Sequence, residues 1–298
     1  MTTANVLKSW TKRLTVLAAA TWFGLSGVVT WTLTHRERPA QPERLPPGWS
    51  QGVEPLRLRA DDGVELGAWW HAGATGQPAV VLLHGNGGSR SRLIGTQILL
   101  QDQGLSVLSL TLRGHGDSGG EQNDIGFSAQ RDVAAAVRWL REHRPGQPIV
   151  LFGQSLGAAA AVFAAGRPDV AVSGLWLECP YRDLATAVDD RLRLHLPALL
   201  RPVAWAGLRL WSLALLPDLD EIAPAAAMAK VPAQLPVWVL AGGQDELAPV
   251  DGARAVLGNH TGKLVVFPTG AHLGLRIADE ETWLREWQAF LAAVRPVS

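Results

Sequence analysis

Ser155 stands in the run Gly153-Gln154-Ser155-Leu156-Gly157, between the apolar segment PIVLF and an alanine-rich stretch. A serine hydroxyl is a weak nucleophile at neutral pH, so it needs a base and a group to orient that base. Asp245 follows the apolar segment LPVWVLAGG, and His272 follows KLVVFPTG. An acid and then a histidine therefore come after the serine, the chain order used by sites built on a G-x-S-x-G turn. The chemistry such a trio performs is attack of Ser155 on a carbonyl, with His272 taking the proton and Asp245 holding the imidazole. Helix capping would account for a serine here, but not for the two glycines that flank it.

Each partner has a rival. Glu178 ends the apolar segment VSGLWLE and is a second acid at the same position along a strand. Of the eight histidines, His272 alone follows a late strand, whereas His260 precedes one and His35, His71, His143 and His195 lie outside the expected core. The loop HGNGG, His84 to Gly88, supplies Asn86, whose backbone N–H can join that of Leu156 as an oxyanion hole. A phosphate cradle is the competing reading of this loop. It lacks the G-K-[ST] ending and the dinucleotide spacing that such loops carry. His84 then reads as a residue that shapes the loop.

The elements that must hold these residues follow from hydrophobic runs. PAVVLLHG, LSVLSL, PIVLFG, VSGLWLE, LPVWVLAGG and KLVVFPTG are short and continuously apolar, as strands buried on both faces are. Helical stretches alternate with them, which predicts a mostly parallel sheet covered on both sides. VEPLRLRA and VELGAWWH flank DDG and add an N-terminal hairpin. In such a sheet, Ser155, Asp245 and His272 all fall at the carboxyl edge, where ligands bind. About residues 181–231 form an insertion whose stretch LHLPALLRPVAWAGLRLWSLALLP suggests a helical cap. Its Trp205, Leu208, Trp211 and Leu215 are candidates to line an acyl pocket or touch a membrane, with plain packing on the core as the alternative.

Composition narrows the partners. Lys and Arg balance Asp and Glu, 27 against 27, which argues against nucleic acid as the partner. The single cysteine, Cys179, excludes an intrachain disulfide and any multi-cysteine zinc site, and it reads as a small buried hydrophobe. Leu14 to Leu33 is uncharged, with Lys8, Lys12 and Arg13 before it and Trp10 and Trp31 near its ends. A helix of that length extends about 30 Å, the thickness of a bilayer's hydrocarbon core. The expected arrangement is a cytoplasmic stub and anchor over 1–34, a Pro-rich linker over 35–52 acting as an extended tether, and a catalytic domain over 53–298 outside the cytoplasm. A cleaved signal peptide with a secreted enzyme is the rival reading.

Taken as a set, HGNGG, RGHGDSGG, GQSLG, GGQDELAP and GAHLG resemble the α/β-hydrolase superfamily over roughly residues 53–295. Within it the chain is similar to the membrane-anchored serine hydrolases of the ABHD12/13 and Bem46-like group. The resemblance implies an α/β-hydrolase fold, Ser155 as nucleophile, Asp245 as acid and His272 as base, with no cofactor and no metal. A small-molecule acyl substrate, hydrophobic or lipid-like, is the expected partner. Thr111 departs from the group, where Asp often precedes the x-R-G-H-G segment. Two other functions share this scaffold: acyl transfer to an acceptor other than water, and non-catalytic binding.

Overall fold

The computed structural model describes residues 3–36, 41–46, 49, 52–216 and 219–294, so Pro217 and part of the Pro-rich linker lie outside the described residues. Eight strands form one sheet: β1 (Val53–Arg59), β2 (Glu65–His71), β3 (Ala79–Leu83), β4 (Ser106–Leu110), β5 (Ile149–Gln154), β6 (Gly174–Glu178), β7 (Val237–Gly242) and β8 (Lys263–Phe267). Their order is β1-β2-β4-β3-β5-β6-β7-β8. β2 pairs antiparallel with β1 and β4, and every other pairing is parallel. Five of the six apolar runs are thus the interior strands β4, β3, β5, β6 and β7, and all five residues of β3, β4 and β6 are buried, whereas KLVVF forms the partly exposed edge strand β8.

Helices cover both faces. The long N-terminal helix is α1 (Thr3–Thr34), followed by α2 (Ile94–Asp102), α3 (Gln130–His143) and α4 (Leu156–Ala165). α5 (Leu184–His195), α6 (Arg201–Leu215) and α7 (Pro224–Ala227) lie between β6 and β7, and α8 (Val250–Leu257), α9 (Leu275–Ala278) and α10 (Glu280–Ala293) complete the chain. Alternate residues of a strand face opposite sides. Val81 and Leu83 accordingly pack with α3, α4 and α8, while Val80 and Leu82 pack with α2 and α10. On the second face Trp176 sits among Phe152, Trp283, Trp287 and Phe290 with ring centroids 5.0–6.2 Å away.

In its described residues the linker is not the free tether that its composition suggested. Arg36 donates to the carbonyls of Gly116, Ser118 and Gly120. Glu43 accepts the Thr111 hydroxyl at 2.6 Å and pairs with Arg90 at 2.6 Å. Trp49 meets Trp69 edge-on at 5.4 Å. Proline content kept these residues from forming helix or strand, but their polar and aromatic side chains dock all the same. Helix α1 is docked as well: Trp22 Nε1 donates to the Val203 carbonyl at 3.0 Å, and Trp211 Nε1 to that of Phe23 at 2.9 Å.

Candidate active site

Strand β5 must turn into α4 within two residues, and Ser155 takes the turn at φ 52° and ψ −111°. This positive φ is costly for a residue with a Cβ and persists only where the surroundings over-determine it. The glycines explain how the turn fits. A Cβ at Gly157 would run into the Leu83 and His84 carbonyls at the end of β3, and one at Gly153 into the carbonyl of Gly157. The Ser155 N–H is fixed by the Glu178 carbonyl at 2.8 Å.

The carboxyl edge brings the three expected residues together. His272 Nε2 lies 3.1 Å from Ser155 Oγ, and His272 Nδ1 lies 2.7 Å from Asp245 Oδ2. The other oxygen of Asp245 accepts the N–H groups of Leu247 and Ala248 at 2.9 and 2.8 Å. Burial works against its charge, but the hydrogen bond and charge of His272, with the Ala248 N–H, hold the Asp245 carboxyl below its ordinary value. Asp245 therefore stays ionised at neutral pH and can orient only an Nδ1–H tautomer. Cys179 lies behind it, its thiol within 4.8 Å of ligand-type atoms on both Asp245 and His272. Burial pushes that thiol's pKa up, so it stays protonated.

Glu178, the rival acid, is engaged elsewhere. Its carboxylate accepts Trp283 Nε1 at 2.7 Å, Trp176 Nε1 at 3.1 Å and Gln154 Nε2 at 2.9 Å. Burial raises its pKa. It ties the end of β5 to α10 rather than to His272.

Asn86 faces the same cavity as Ser155 and His272. Its side chain accepts from Asn123 Nδ2 at 2.7 Å, which fixes the loop that carries its N–H. Leu156 opens α4, where the first N–H groups of a helix have no intrahelical acceptor and the dipole favours an anion. His84 is fully buried, with Nε2 accepting the Leu112 N–H at 3.0 Å and Nδ1 set against the Gly85 carbonyl at 2.8 Å. Burial lowers its pKa to about 3, so it shapes the loop as a neutral ring.

A cavity of about 110 Å³ opens from Ser155 and His272 toward the cap. Trp205, Leu208 and Ser212 line it, a helical spacing of three and four that selects one face of α6, and Leu216 just beyond the helix extends that lining. The expected Trp211 and Leu215 do not line it. Trp211 falls on the neighbouring face, which packs on α1 with its ring 4.7 Å from Phe23 and its edge against Gly27. Leu215 is likewise off the stripe, its carbonyl taken by Gln122. Among the lining residues that sequence reasoning missed are Thr30, Leu33 and Thr34 of α1, which form a wall of this cavity, and Arg191 of α5. Arg191 donates to the Ala187 carbonyl at 2.8 Å, and burial pushes its pKa down. A larger depression of about 730 Å³ lies at the opposite sheet edge, beside Arg167 and Lys230 and away from these groups.

Thr111 also finds its explanation. Its hydroxyl accepts the Arg90 N–H at 3.1 Å and donates to Glu43 at 2.6 Å, so a linker residue brings a carboxylate to this position just after β4.

The family described as serine aminopeptidase, S33, matches residues 75–217. An uncharacterized protein of Mycobacterium tuberculosis is 34% identical over 75% of this chain and 75% of its own length. The α/β hydrolase domain-containing protein WAV2 of Arabidopsis thaliana is 30% identical over 82% of this chain and 80% of its own. The protein bem46 of Schizosaccharomyces pombe is 25% identical over 68% and 64%. Among solved structures, the Pyrococcus furiosus esterase Pf2001 superposes with a TM-score of 0.68 at 21% identity, covering 86% of this chain and 98% of its own.

Proposed function

Because the chain belongs to the α/β-hydrolase family, in its ABHD/Bem46-like branch, we propose that it is a serine hydrolase that cleaves acyl esters of hydrophobic, lipid-like substrates. The observation that carries this reading is the line from Asp245 through His272 to the strained Ser155, with hydrogen-bond distances of 2.7 and 3.1 Å. His272 Nε2 takes the Ser155 proton as Oγ attacks the ester carbonyl. Asp245 stabilises the imidazolium that results. The oxyanion is received by the N–H groups of Asn86 and Leu156. His272 then returns the proton to the leaving alcohol, and a water attacks the acyl-enzyme by the reverse sequence. The cavity walls are mainly apolar, which suits the acyl side of an ester.

The same proposal includes a single-pass anchor. Trp10–Thr34 is long and apolar enough to cross a bilayer, with a mean hydropathy of 1.5 and most of its apolar stretch exposed. Lys8, Lys12 and Arg13 favour a cytoplasmic N-terminus and a catalytic domain on the other side. The test is hydrolysis of p-nitrophenyl esters of increasing chain length by the full chain and by Ser155→Ala. The reading requires activity that rises with chain length and disappears in the variant. Full activity in Ser155→Ala refutes it.

A further inference from the structure

Helix α6 has an outer face as unusual as its inner one. Every exposed residue from Pro197 to Ala214 is apolar. Leu199 is 86% exposed, Val203 52%, Leu210 48% and Leu213 60%. Spacings of seven and three residues place Val203, Leu210 and Leu213 on one stripe of α6, and Leu199 stands exposed in the turn just before it. A helix face in water carries charged or polar residues there. The two cations of α6 are engaged by groups outside this stripe: Arg201 donates to the carbonyls of Leu196 and Arg193, and Arg209, at the border of the stripe, pairs with Asp220 at 3.0 Å.

What covers the stripe follows from α1. Lys12 and Arg13 close the apolar run on one side, and from Leu14 to Thr21 the helix is exposed all round. Those eight residues extend about 12 Å, well short of the roughly 30 Å of a hydrocarbon core. The span needs the next three turns as well, up to Leu33. Along those turns α1 is packed on α6, with Trp22 bonded to the Val203 carbonyl, Gly207 against Ser26 and Trp211 against Phe23 and Gly27. The contacts climb both helices together, so wherever this part of α1 is in lipid, α6 lies beside it.

We infer that α6 is a second membrane-embedded element, with Val203, Leu210 and Leu213 in contact with lipid chains. The inference rests on the reading of α1 as a membrane span. The inner faces of the same two helices carry Trp205, Leu208, Thr30 and Leu33, which wall the candidate cavity. The cavity is therefore held at the depth of lipid acyl chains, and its substrate is an ester whose chain is already in the bilayer.

Spin labels on single cysteines test this in the full chain, reconstituted into vesicles of phosphatidylethanolamine and phosphatidylglycerol. The labelled positions are Val203→Cys, Leu210→Cys and Leu213→Cys, with Leu17→Cys as the reference within the span. Glu142→Cys, exposed at the end of α3 on the sheet edge opposite the cap, is the reference in water. Cys179 is buried, and the unsubstituted chain gives its background. Collision with oxygen, which concentrates in hydrocarbon, is compared with collision with a water-soluble nickel chelate. The expected result is an oxygen-to-nickel ratio at 203, 210 and 213 several-fold above that at 142 and close to that at 17. If 17 is in lipid and the three α6 positions match 142, the inference is overturned while the span stands. If 17 itself matches 142, both fail.

Discussion

Thr30→Phe is a sharp test of whether α1 belongs to the proposed active site, because residue 30 lies 125 positions before Ser155 yet walls the same cavity. Thr30 is only 5% exposed and its hydroxyl is spent on the Ser26 carbonyl within the same helix. A phenyl ring in its place takes up much of a cavity of about 110 Å³. If the ring displaces three methylenes of a bound acyl chain, at about 0.8 kcal/mol each, long-chain substrates lose about 2.4 kcal/mol of transition-state binding. At 1.4 kcal/mol per tenfold, kcat/KM should fall roughly 50-fold. Acetyl and propionyl esters, which place no long chain in the cavity, should be hydrolysed at nearly the parental rate. The assay is kcat/KM over p-nitrophenyl esters from two to twelve carbons, with Val28→Phe, on the exposed side of α1, as the control. A chain-length profile unchanged in Thr30→Phe, or altered equally in Val28→Phe, refutes the claim that this helix bounds the acyl site.

The two acids should separate cleanly. Asp245→Asn forces the wrong imidazole tautomer and should lower kcat by roughly 10⁴-fold, whereas Glu178→Gln, whose amide oxygen can still accept from Trp176 and Trp283, should lower it less than about tenfold. Kinetics of the two purified variants decide, and the reverse ranking contradicts the assignment. Glu43→Ala leaves the fully buried Thr111 hydroxyl without its acceptor, a loss of about 1–3 kcal/mol that should lower the melting temperature by several degrees. Glu54→Ala, exposed on β1, should leave it unchanged; equal melting temperatures for both would mean that the linker is not docked. His84 has a folded pKa of about 3 set by burial, below its unfolded value, so its contribution is complete above about pH 6.5 and is lost as pH falls toward 3. Urea midpoints from pH 7 to pH 5 should fall more steeply for the parent than for His84→Gln, by about 2 kcal/mol over that range; identical slopes would place the titration elsewhere.

Much of this arrangement is legible in the sequence because it depends on local rules. Runs such as VVLL and VLFG can be buried on both faces only in a central strand, and Gly153-x-Ser155-x-Gly157 is dictated by the carbonyls that a Cβ would strike. The placement of Asp245 and His272 then follows from strand ends on one edge. Helix phase was harder: Trp205 and Leu208 point at the cavity, but Trp211 falls on the neighbouring face because α1 occupies that side. The role of α1 was hidden for a different reason. An uncharged run of twenty residues satisfies a lipid environment and a protein groove equally, and only its spacing of Ser26, Thr30 and Thr34, four residues apart and buried, marks the docked face. Glu43 gave no signal at all, since a charged residue among prolines has the composition of a solvated linker.

The central claim is that Ser155 is an activated nucleophile. The most direct measurement is reaction of the full chain with a fluorophosphonate, followed by peptide mapping of the adduct by mass spectrometry. The account predicts one adduct, on Ser155, formed rapidly by the parent, much more slowly by His272→Ala and not at all by Ser155→Ala. An adduct on another residue, or labelling of Ser155 at the same rate without His272, would contradict it.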